Sequence, residues 1–188
     1  MVSVEQALKE ILSTVEVLEA EKKPILDCLG QVLAEDVYST IDIPPGDNSA
    51  MDGYAVIAKD SRGARKSSPK VLSVIGEVAA GAISPKRVTP GTAIRIMTGA
   101  ALPEGADAVV PFEDTDEVAR KSSRGDLLQI GILRPVEEGV NVRRKGEDIA
   151  AGTLALKKGT VLRPPEIGVL ASLGYPLAGV IRRPVVSV

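Results

Sequence analysis

The chain has 188 residues, of which 44% are hydrophobic and 26% are charged, as in a globular protein rather than a disordered one. Its 23 Lys and Arg residues nearly balance its 25 Asp and Glu residues, and the net charge of −2 indicates neither a nucleic-acid partner nor an anionic membrane. Histidine is absent, which excludes Ser-His-Asp and Cys-His nucleophile systems and leaves carboxylates, hydroxyls, basic side chains and backbone donors for any catalysis.

The N-terminal segment predicts one amphipathic helix followed by short apolar elements. Ser3 and Gln6 fit a capping box, and apolar residues recur at helical spacing from Val4 to Val15, so the sequence predicts a helix over residues 4–18. We expect a short apolar element over 25–33 and a strand over 37–39 to follow.

The middle of the chain has a different texture, which begins at the Pro44-Pro45-Gly46 punctuation. Few aromatic residues and many glycines and prolines favour short strands joined by sharp turns. Strands are predicted at 54–57, 71–75, 93–97, 108–111 and 127–130, with solvated loops at 62–70 and 120–126. This spacing predicts a small antiparallel sheet or barrel.

Beyond Arg134-Pro135 the chain returns to mixed elements. Residues 153–156 and 160–162 suggest a hairpin around Lys157-Lys158-Gly159, and a strand is expected at 178–181. A helix should begin at Pro164 and end at Gly174, because proline suits a helix start and glycine suits its end. Residues 185–188 look like the beginning of another strand, so we expect the chain to be part of a longer polypeptide.

Sequence features that report on the compartment agree with one another. The single Cys28 excludes an internal disulfide, and the polar N-terminus does not resemble a signal peptide. The longest uncharged run, residues 167–181, is interrupted by glycines and a proline and makes a poor membrane span. We therefore expect a cytoplasmic protein without a membrane partner.

Three polar clusters could hold a functional site. The first follows the prolines and contains Asp47, Asn48, Ser49 and Asp52, although an ordinary Asp-Gly turn is an equal alternative. The second is Thr98-Gly99 at the end of a predicted strand, where Gly99 would allow a ligand close to the backbone.

The third cluster is Arg143-Arg144-Lys145-Gly146-Glu147-Asp148. It is either a surface turn whose charges pair with one another or an anion pocket.

Electrostatics favours combining these clusters. A carboxylate facing an oxyanion is repelled by about 4 kcal/mol at about 4 Å if the effective dielectric constant is about 20. Asp52 and Asp148 could therefore lie near an anionic substrate only beside basic residues or a hard, oxygen-ligated metal ion. No phosphate-binding glycine loop of the GxxxxGK[ST] or GxGxxG type is present.

In this order the clusters resemble the molybdopterin molybdenumtransferases, the MoeA and gephyrin E-domain family. The matching stretches are 44–56 (PPGDNSAMDGYAV), 93–105 (AIRIMTGAALPEG) and 141–152 (NVRRKGEDIAAG). Weaker similarity covers the N-terminal helix and residues 170–174.

The resemblance implies an α+β, β-rich fold. Residues 1–45 and 138–181 would form one discontinuous α/β domain, and residues 46–137 an inserted, mainly β domain. Residues 182–188 would begin a third domain, which the family uses to bind pterin. A further functional acidic residue of the family has no counterpart in these 188 residues.

The resemblance also implies an elongated homodimer acting in molybdenum cofactor biosynthesis. Such enzymes transfer molybdate to adenylylated molybdopterin and release AMP, with the help of Mg²⁺ or another divalent cation, and the upstream molybdopterin adenylyltransferase is a possible partner. We expect the 188-residue chain alone to lack turnover. A non-catalytic dimerisation or scaffold module and a stand-alone anion or metal binder remain alternatives.

Matching motif positions assign the site residues. The resemblance implies that Asp52, Thr98 and Asp148 are catalytic, with Asp52 and Asp148 positioning a metal ion or water and Thr98 forming hydrogen bonds in the site. The expected anion-binding residues are Asn48, Ser49, Arg143 and Arg144.

Overall fold

The computed structural model describes residues 2–124 and 128–187. The chain folds as two compact units: one contains both ends of the chain, up to Ile41 and from Ala151, and the other is Asp42–Ala150. The inserted unit extends beyond the expected 46–137 on both sides because Ile43 bridges Ile149 and residues 48–49 pair with residues 142–143. The α+β, β-rich class is confirmed.

The described residues of the unit formed by the two chain ends form short paired strands, two α-helices and one short 3-10 helix, Ile25–Asp27. Strand β1 pairs antiparallel with β11, and β2 pairs antiparallel with β10. The bounds are α1 Val4–Ser13, β1 Ala20–Pro24, β2 Val37–Tyr38, β10 Leu154–Leu156, α3 Pro164–Ser172 and β11 Leu177–Ile181.

Helix α1 begins where the sequence predicts and ends earlier than the predicted residue 18. The Ser3 hydroxyl accepts a hydrogen bond from the Gln6 N–H at 3.1 Å, which is the expected N-cap. At the other end the hydroxyls of Ser13 and Thr14 donate to the carbonyls of Glu10 and Ile11 at 2.7 and 2.8 Å. These local bonds compete with continuation of the helix.

The predicted hairpin around Lys157-Lys158-Gly159 is wrong. Strand β10 pairs with β2, while Val161 bridges Val32. The backbone of Leu33 donates to the Thr160 carbonyl and accepts from the Gly159 N–H, each at 2.8 Å. Long-range partners therefore take the backbone groups that a local hairpin would have used.

The C-terminal elements of this unit follow the predictions up to Ile181. Proline occupies the first turn of α3, and Gly174 just beyond its end adopts φ 77°. Residues 182–187 form no strand, so the strand expected at 185–188 is wrong for the described residues, where Val185 and Val186 are exposed and find no strand to pair with.

The inserted unit contains a five-stranded sheet in the order β7-β4-β6-β5-β8. Its other described elements are a two-stranded pair, β3 with β9, the α-helix α2 and two short 3-10 helices, Ala58–Ser61 and Phe112–Asp114. The bounds are β3 Asn48–Ser49, β4 Gly53–Val56, β5 Lys70–Val78, β6 Thr92–Ile96, β7 Ala108–Pro111, α2 Glu117–Arg124, β8 Gln129–Ile132 and β9 Val142–Arg143.

This sheet is mixed, whereas the sequence predicted an antiparallel one. Strands β5 and β6 run parallel, and every other pairing in the sheet is antiparallel. A parallel pair needs a long connection, and the segment 79–91 supplies it. The sheet core is aliphatic apart from Tyr54, with Ile94, Ile96, Ile130 and Ile132 fully buried.

Helix α2 replaces most of the loop expected at 120–126. Glu117 is 4% exposed at its start, and the Asp116 carboxylate accepts from the Arg120 Nε and from the Gly131 N–H, both at 2.7 Å. These contacts anchor a polar sequence as a helix. Residues 125–127 of the expected loop, and Leu127 of the strand predicted at 127–130, lie outside the described residues.

Within the described ranges, every helix is too short or too polar to cross a bilayer.

Candidate functional site

The short strand β3 joins the three polar clusters inside the inserted unit. Asn48 and Ser49 pair antiparallel with Arg143 and Val142 of β9. The Ser49 N–H donates to the Ala100 carbonyl at 3.0 Å, and the Ser49 carbonyl accepts from the Gly99 N–H at 2.8 Å. Segments some fifty and one hundred residues apart in sequence are therefore held side by side by backbone bonds.

Asp52 and Thr98 are in direct contact. The Thr98 N–H and the Thr98 hydroxyl both donate to Oδ1 of Asp52, each at 2.7 Å. These two bonds, first the backbone one and then the hydroxyl, lower the pKa of Asp52, and the charge of Arg95 contributes in the same direction. Asp52 is exposed and stays ionised at neutral pH, with Oδ2 accepting no hydrogen bond from the described residues.

A glycine follows each residue of this pair in the sequence, Gly53 after Asp52 and Gly99 after Thr98, and each is required for a different reason. Gly53 lies in β4 so close to β7 that an added Cβ would stand 2.0 Å from the Val110 carbonyl oxygen. The alternative in which Asp52-Gly53 is a hairpin corner is therefore wrong, since Gly53 belongs to a central strand. Gly99 adopts φ 80° and turns the chain after Thr98 so that it can bond Ser49.

Asp148 lies in the third cluster and is held by Arg143. A guanidinium nitrogen of Arg143 donates to Oδ2 of Asp148, and the Arg143 Nε donates to Glu147 at 3.0 Å. The hydrogen bonds to these two carboxylates raise the pKa of Arg143, with the bond to Asp148 contributing more than the bond to Glu147. The described residues show no contact of Asp148 with Asp52 or Thr98, so the structure joins two of the three expected catalytic residues directly and the third through β3 and β9.

Arg144 links the third cluster to the first. Its guanidinium donates to Oδ2 of Asp47 at 2.6 Å, and the Lys145 N–H donates to Oδ1 of Asp47 at 2.8 Å. The backbone bond from Lys145, followed by the bond from Arg144, lowers the pKa of Asp47. The sequence placed Asp47 in a polar cluster without a role, and only the fold shows that it pairs with residues nearly one hundred positions away.

Two of the expected anion-binding residues are less available than the sequence suggested. Ser49 is fully buried, and its hydroxyl donates to the Met51 carbonyl at 2.5 Å, which closes a local turn. We therefore correct its role from ligand binding to shaping of the loop. Asn48 has a buried Oδ1 without a hydrogen-bond partner in the described part of the chain.

The positive charges of the third cluster are largely compensated by carboxylates, some within the cluster and some outside it. Arg143, Arg144 and Lys145 pair with Asp148 and Glu147, with Asp47 and with Asp42. The surface-turn alternative, in which the cluster pairs with itself, therefore describes Arg143, whereas Arg144 and Lys145 pair with carboxylates distant in sequence. An incoming oxyanion would have to compete with carboxylates for these cations, or arrive with a cation of its own.

A resident metal ion does not fit the protein groups alone. Across residues 2–124 and 128–187, no three Asp, Glu or Cys side chains lie close enough to hold one. The free Oδ2 of Asp52 can supply a single oxygen ligand. Such a position suits a hydrated divalent cation that a phosphate substrate also binds, which is how Mg²⁺ is commonly held.

Comparison with known sequences gives a family match over most of the chain. The profile described as "MoeA N-terminal region (domain I and II)" matches residues 2–174. A molybdopterin molybdenumtransferase of Staphylococcus aureus is 38% identical over 187 residues, which are 100% of this chain and 43% of that protein. A molybdopterin molybdenumtransferase 2 of Mycobacterium tuberculosis is 42% identical over 151 residues, covering 80% of this chain and 35% of that protein.

Comparison with solved structures gives the same result. The crystal structure of a molybdopterin biosynthesis MoeA protein from Pyrococcus horikoshii OT3 superposes with a TM-score of 0.86 at 40% identity. The match covers 96% of this chain and 46% of that one. This chain thus spans less than half the length of the relatives it matches.

Proposed function

Because the chain belongs to the family of MoeA N-terminal regions, we propose that it is the part of a molybdenum insertase that supplies Asp52, Thr98 and Asp148 to the active site. The reaction would transfer molybdate to adenylylated molybdopterin in molybdenum cofactor biosynthesis, with release of AMP. The support is the match to molybdopterin molybdenumtransferases over the whole chain.

One observation carries the assignment of the site. An exposed carboxylate, that of Asp52, is fixed by two 2.7 Å bonds from Thr98 and still has one oxygen available. The two bonds also stabilise the fold, and they hold the exposed carboxylate in the fixed geometry that a reaction centre needs.

The lowered pKa of Asp52 defines what this carboxylate can do. A general base works best when its pKa lies near the operating pH, and the bonds from Thr98 move the pKa of Asp52 the other way. Asp52 is therefore assigned to orienting a water molecule, a hydroxyl or a hydrated cation, rather than to removing a proton. Asp148 is assigned a similar positioning role, with Arg143 holding its carboxylate.

The third cluster would contact the phosphate groups of the substrate. Arg143 and Arg144 are partly exposed and carry guanidinium groups suited to phosphate oxygens. Because carboxylates already pair with them, we propose that Mg²⁺ or another divalent cation enters with the substrate. When bound, it would neutralise phosphate charge beside Asp52.

The remaining assignments concern the source of the substrate and the cellular compartment of the protein. The adenylylated substrate must come from an adenylyltransferase acting upstream, and direct transfer between the two enzymes is part of the proposal. We place the protein in the cytoplasm, which agrees with its one cysteine, Cys28, being free and buried.

A chimera tests the proposed function, because this chain covers less than half of its relatives. The chain replaces the matching segment of the Staphylococcus aureus relative, and molybdenum insertion into adenylylated molybdopterin is followed by molybdenum content and AMP release. We expect the chimera to be active and its Asp52→Ala variant to lose at least about a hundredfold in rate, as when a preorganised group is removed.

The matched control is Asp27→Ala, which removes an exposed carboxylate from the other unit and should keep the chimera's activity. Full activity of the Asp52→Ala chimera would overturn the assignment and favour the scaffold alternative, which has no use for this carboxylate. The 188-residue chain alone should show no insertion, and calorimetry with molybdate and Mg²⁺ on it tests the stand-alone binder.

A further inference from the structure

A cluster of charged and aromatic side chains, partly buried, lies next to the Asp52–Thr98 pair and has no place in the proposed function so far. It consists of Arg95, Glu77, Glu117, Tyr54 and Phe112, called here the Arg95 cluster. The Arg95 and Glu117 side chains are 19% and 6% exposed. Charges this far from water persist only when they are paired and hydrogen-bonded.

Arg95 is the centre of this cluster. Its two terminal nitrogens donate to Glu77 at 2.8 Å and to Glu117 at 3.4 Å. The other oxygen of Glu117 accepts from the Tyr54 hydroxyl at 3.1 Å, and Lys121 pairs with Glu117 from the helix surface. Burial, followed by the charge of Glu117, raises the pKa of Tyr54, which therefore stays a neutral donor.

The guanidinium of Arg95 contacts Phe112, which is hydrogen-bonded to Asp52, and Met97, which precedes Thr98 in the sequence. Its carbon lies 4.4 Å above the centre of the Phe112 ring, and the Phe112 N–H donates to the Asp52 carbonyl at 3.2 Å. On the other side a terminal nitrogen lies 3.6 Å from the sulfur of Met97, the residue before Thr98. One planar group thus packs against both segments that present the pair.

The strand register explains this placement. Arg95 lies directly opposite Tyr54 in the ladder between β6 and β4, and these strands lead to Thr98 and from Asp52 respectively. The Arg95 charge is also near enough to contribute to the low pKa of Asp52, behind the two bonds from Thr98.

We infer that Arg95 is a positioning residue, which aligns Asp52 with Thr98 by clamping the Met97 and Phe112 segments. Its relevance to catalysis rests on the proposed function. The alternative is that the Arg95–Glu117 pair only anchors helix α2. Anchoring alone would change overall stability and leave the Asp52–Thr98 geometry intact, whereas a clamp controls that geometry.

The amide proton resonance of Thr98 reports on the alignment, because a short bond to a carboxylate moves it strongly downfield. It is measured by NMR on the ¹⁵N-labelled 188-residue chain, with Asp52→Ala giving the position without the bond. In Arg95→Gln we expect the resonance to move at least half of the way to that position. Glu77→Gln removes only the exposed partner of Arg95 and should shift the Thr98 resonance less, in the same direction. This variant provides the test if Arg95→Gln does not fold.

The matched control is Arg87→Gln, which removes an exposed arginine bonded to Glu104 in the same unit and should leave the Thr98 resonance in place.

Arg95→Lys separates charge from shape, since lysine cannot stack on Phe112 and bridge both glutamates at once. A clamp predicts that it behaves like Arg95→Gln. An unshifted Thr98 resonance in folded Arg95→Gln, or in Glu77→Gln if Arg95→Gln does not fold, would overturn the inference.

The chimera separates this inference from the proposed function. The Thr98 amide resonance could shift in Arg95→Gln while the Asp52→Ala chimera remains active. In that case the positioning role of Arg95 is supported and the proposed function is wrong. If the Asp52→Ala chimera is inactive and the Thr98 amide resonance does not shift in Arg95→Gln, the proposed function is supported and the positioning role of Arg95 is wrong. If both stand, Arg95→Lys should lower kcat of the chimera about tenfold with little change in KM.

Discussion

At the scale of single residues, close approach of backbones constrains the site more than side-chain identity does. The Cβ of an alanine at position 53 would lie 2.0 Å from the Val110 oxygen and 2.9 Å from the Cα of Pro111. Both atoms belong to a paired strand and cannot move aside without disturbing the ladder between β4 and β7.

We therefore expect Gly53→Ala to lower the free energy of unfolding by about 3 kcal/mol or more, the upper range for an overpacked interior. Urea denaturation followed by circular dichroism measures this. Gly46→Ala is the matched control, because a Cβ there meets nothing within 4 Å, and its effect should stay within about 0.5 kcal/mol. Equal midpoints for the two variants would contradict the close-approach explanation.

The charge on Asp47 also acts at this scale. Its pKa is lowered in the folded chain by the Lys145 N–H and by Arg144. A group whose folded pKa is depressed contributes stability above its unfolded pKa, about 3.9 for Asp, and this contribution disappears as the pH falls through the folded pKa.

Asp47→Asn should accordingly lower the free energy of unfolding by about 1 kcal/mol or less at pH 7, the range of a partly exposed ion pair. The difference from the unsubstituted chain should shrink as the pH is lowered from 5 to 3. Urea titrations at pH 7, 5 and 3 measure it, with Asp27→Asn as the control. A difference that is constant over this range would show that the charge of Asp47 does not contribute.

At the scale of elements, helix α1 differs from the rest of the chain. None of its residues is buried, and its apolar face, which contains Val4, Leu8, Ile11 and Leu12, is mostly exposed. An amphipathic helix normally buries this stripe against another surface. The observation is compatible with the homodimer that the family resemblance implies, and it is also what a dimerisation module without catalysis would present.

A double substitution on this face, Leu8→Glu with Ile11→Glu, tests the dimer. Since α1 buries nothing within the chain, the variant should fold, and we expect a dimer in the unsubstituted chain to dissociate to monomer. Sedimentation equilibrium measures the mass. Lys9→Glu, on the polar face, is the control and should remain dimeric. An unchanged mass in the double variant would exclude this face as the dimer contact.

Elements also show where pattern reading succeeds. The run Ala108-Val109-Val110-Pro111 was predicted as a strand and is one, because β-branched residues between turn signals have few other options. Helix α2 was missed because Glu117 and Asp116 bind Tyr54 and Gly131, which are distant in sequence. Its polar composition alone is equally compatible with a loop.

At the scale of the whole molecule, the inserted unit has its own core and closely spaced ends. Ile43 bridges Ile149, and the Asp148 N–H donates to the Ile43 carbonyl at 3.0 Å. The candidate site lies entirely within this unit. Units with a separate core and adjacent ends commonly fold alone.

A fragment of residues 42–150 is thus expected to fold independently. Its amide spectrum should be dispersed, with Thr98 at the resonance position it has in the 188-residue chain. The fragment carrying Gly53→Ala is the matched control and should lose that dispersion or unfold at lower urea concentration. A collapsed spectrum for the unsubstituted fragment would show that the other unit is needed for folding.

The sequence by itself determined the family, the short-strand character and the three polar clusters, because these depend on residue types within a few positions of one another. Only the tertiary structure decided which groups are free to act. It joined Thr98 to Asp52, turned the Ser49 hydroxyl inward and paired Arg144 with Asp47. It also set a partly buried Arg95 next to the pair. The physical reason is that hydrogen bonds and ion pairs depend on distances of about 3 Å in space, whereas the partners here are separated by dozens of residues along the chain.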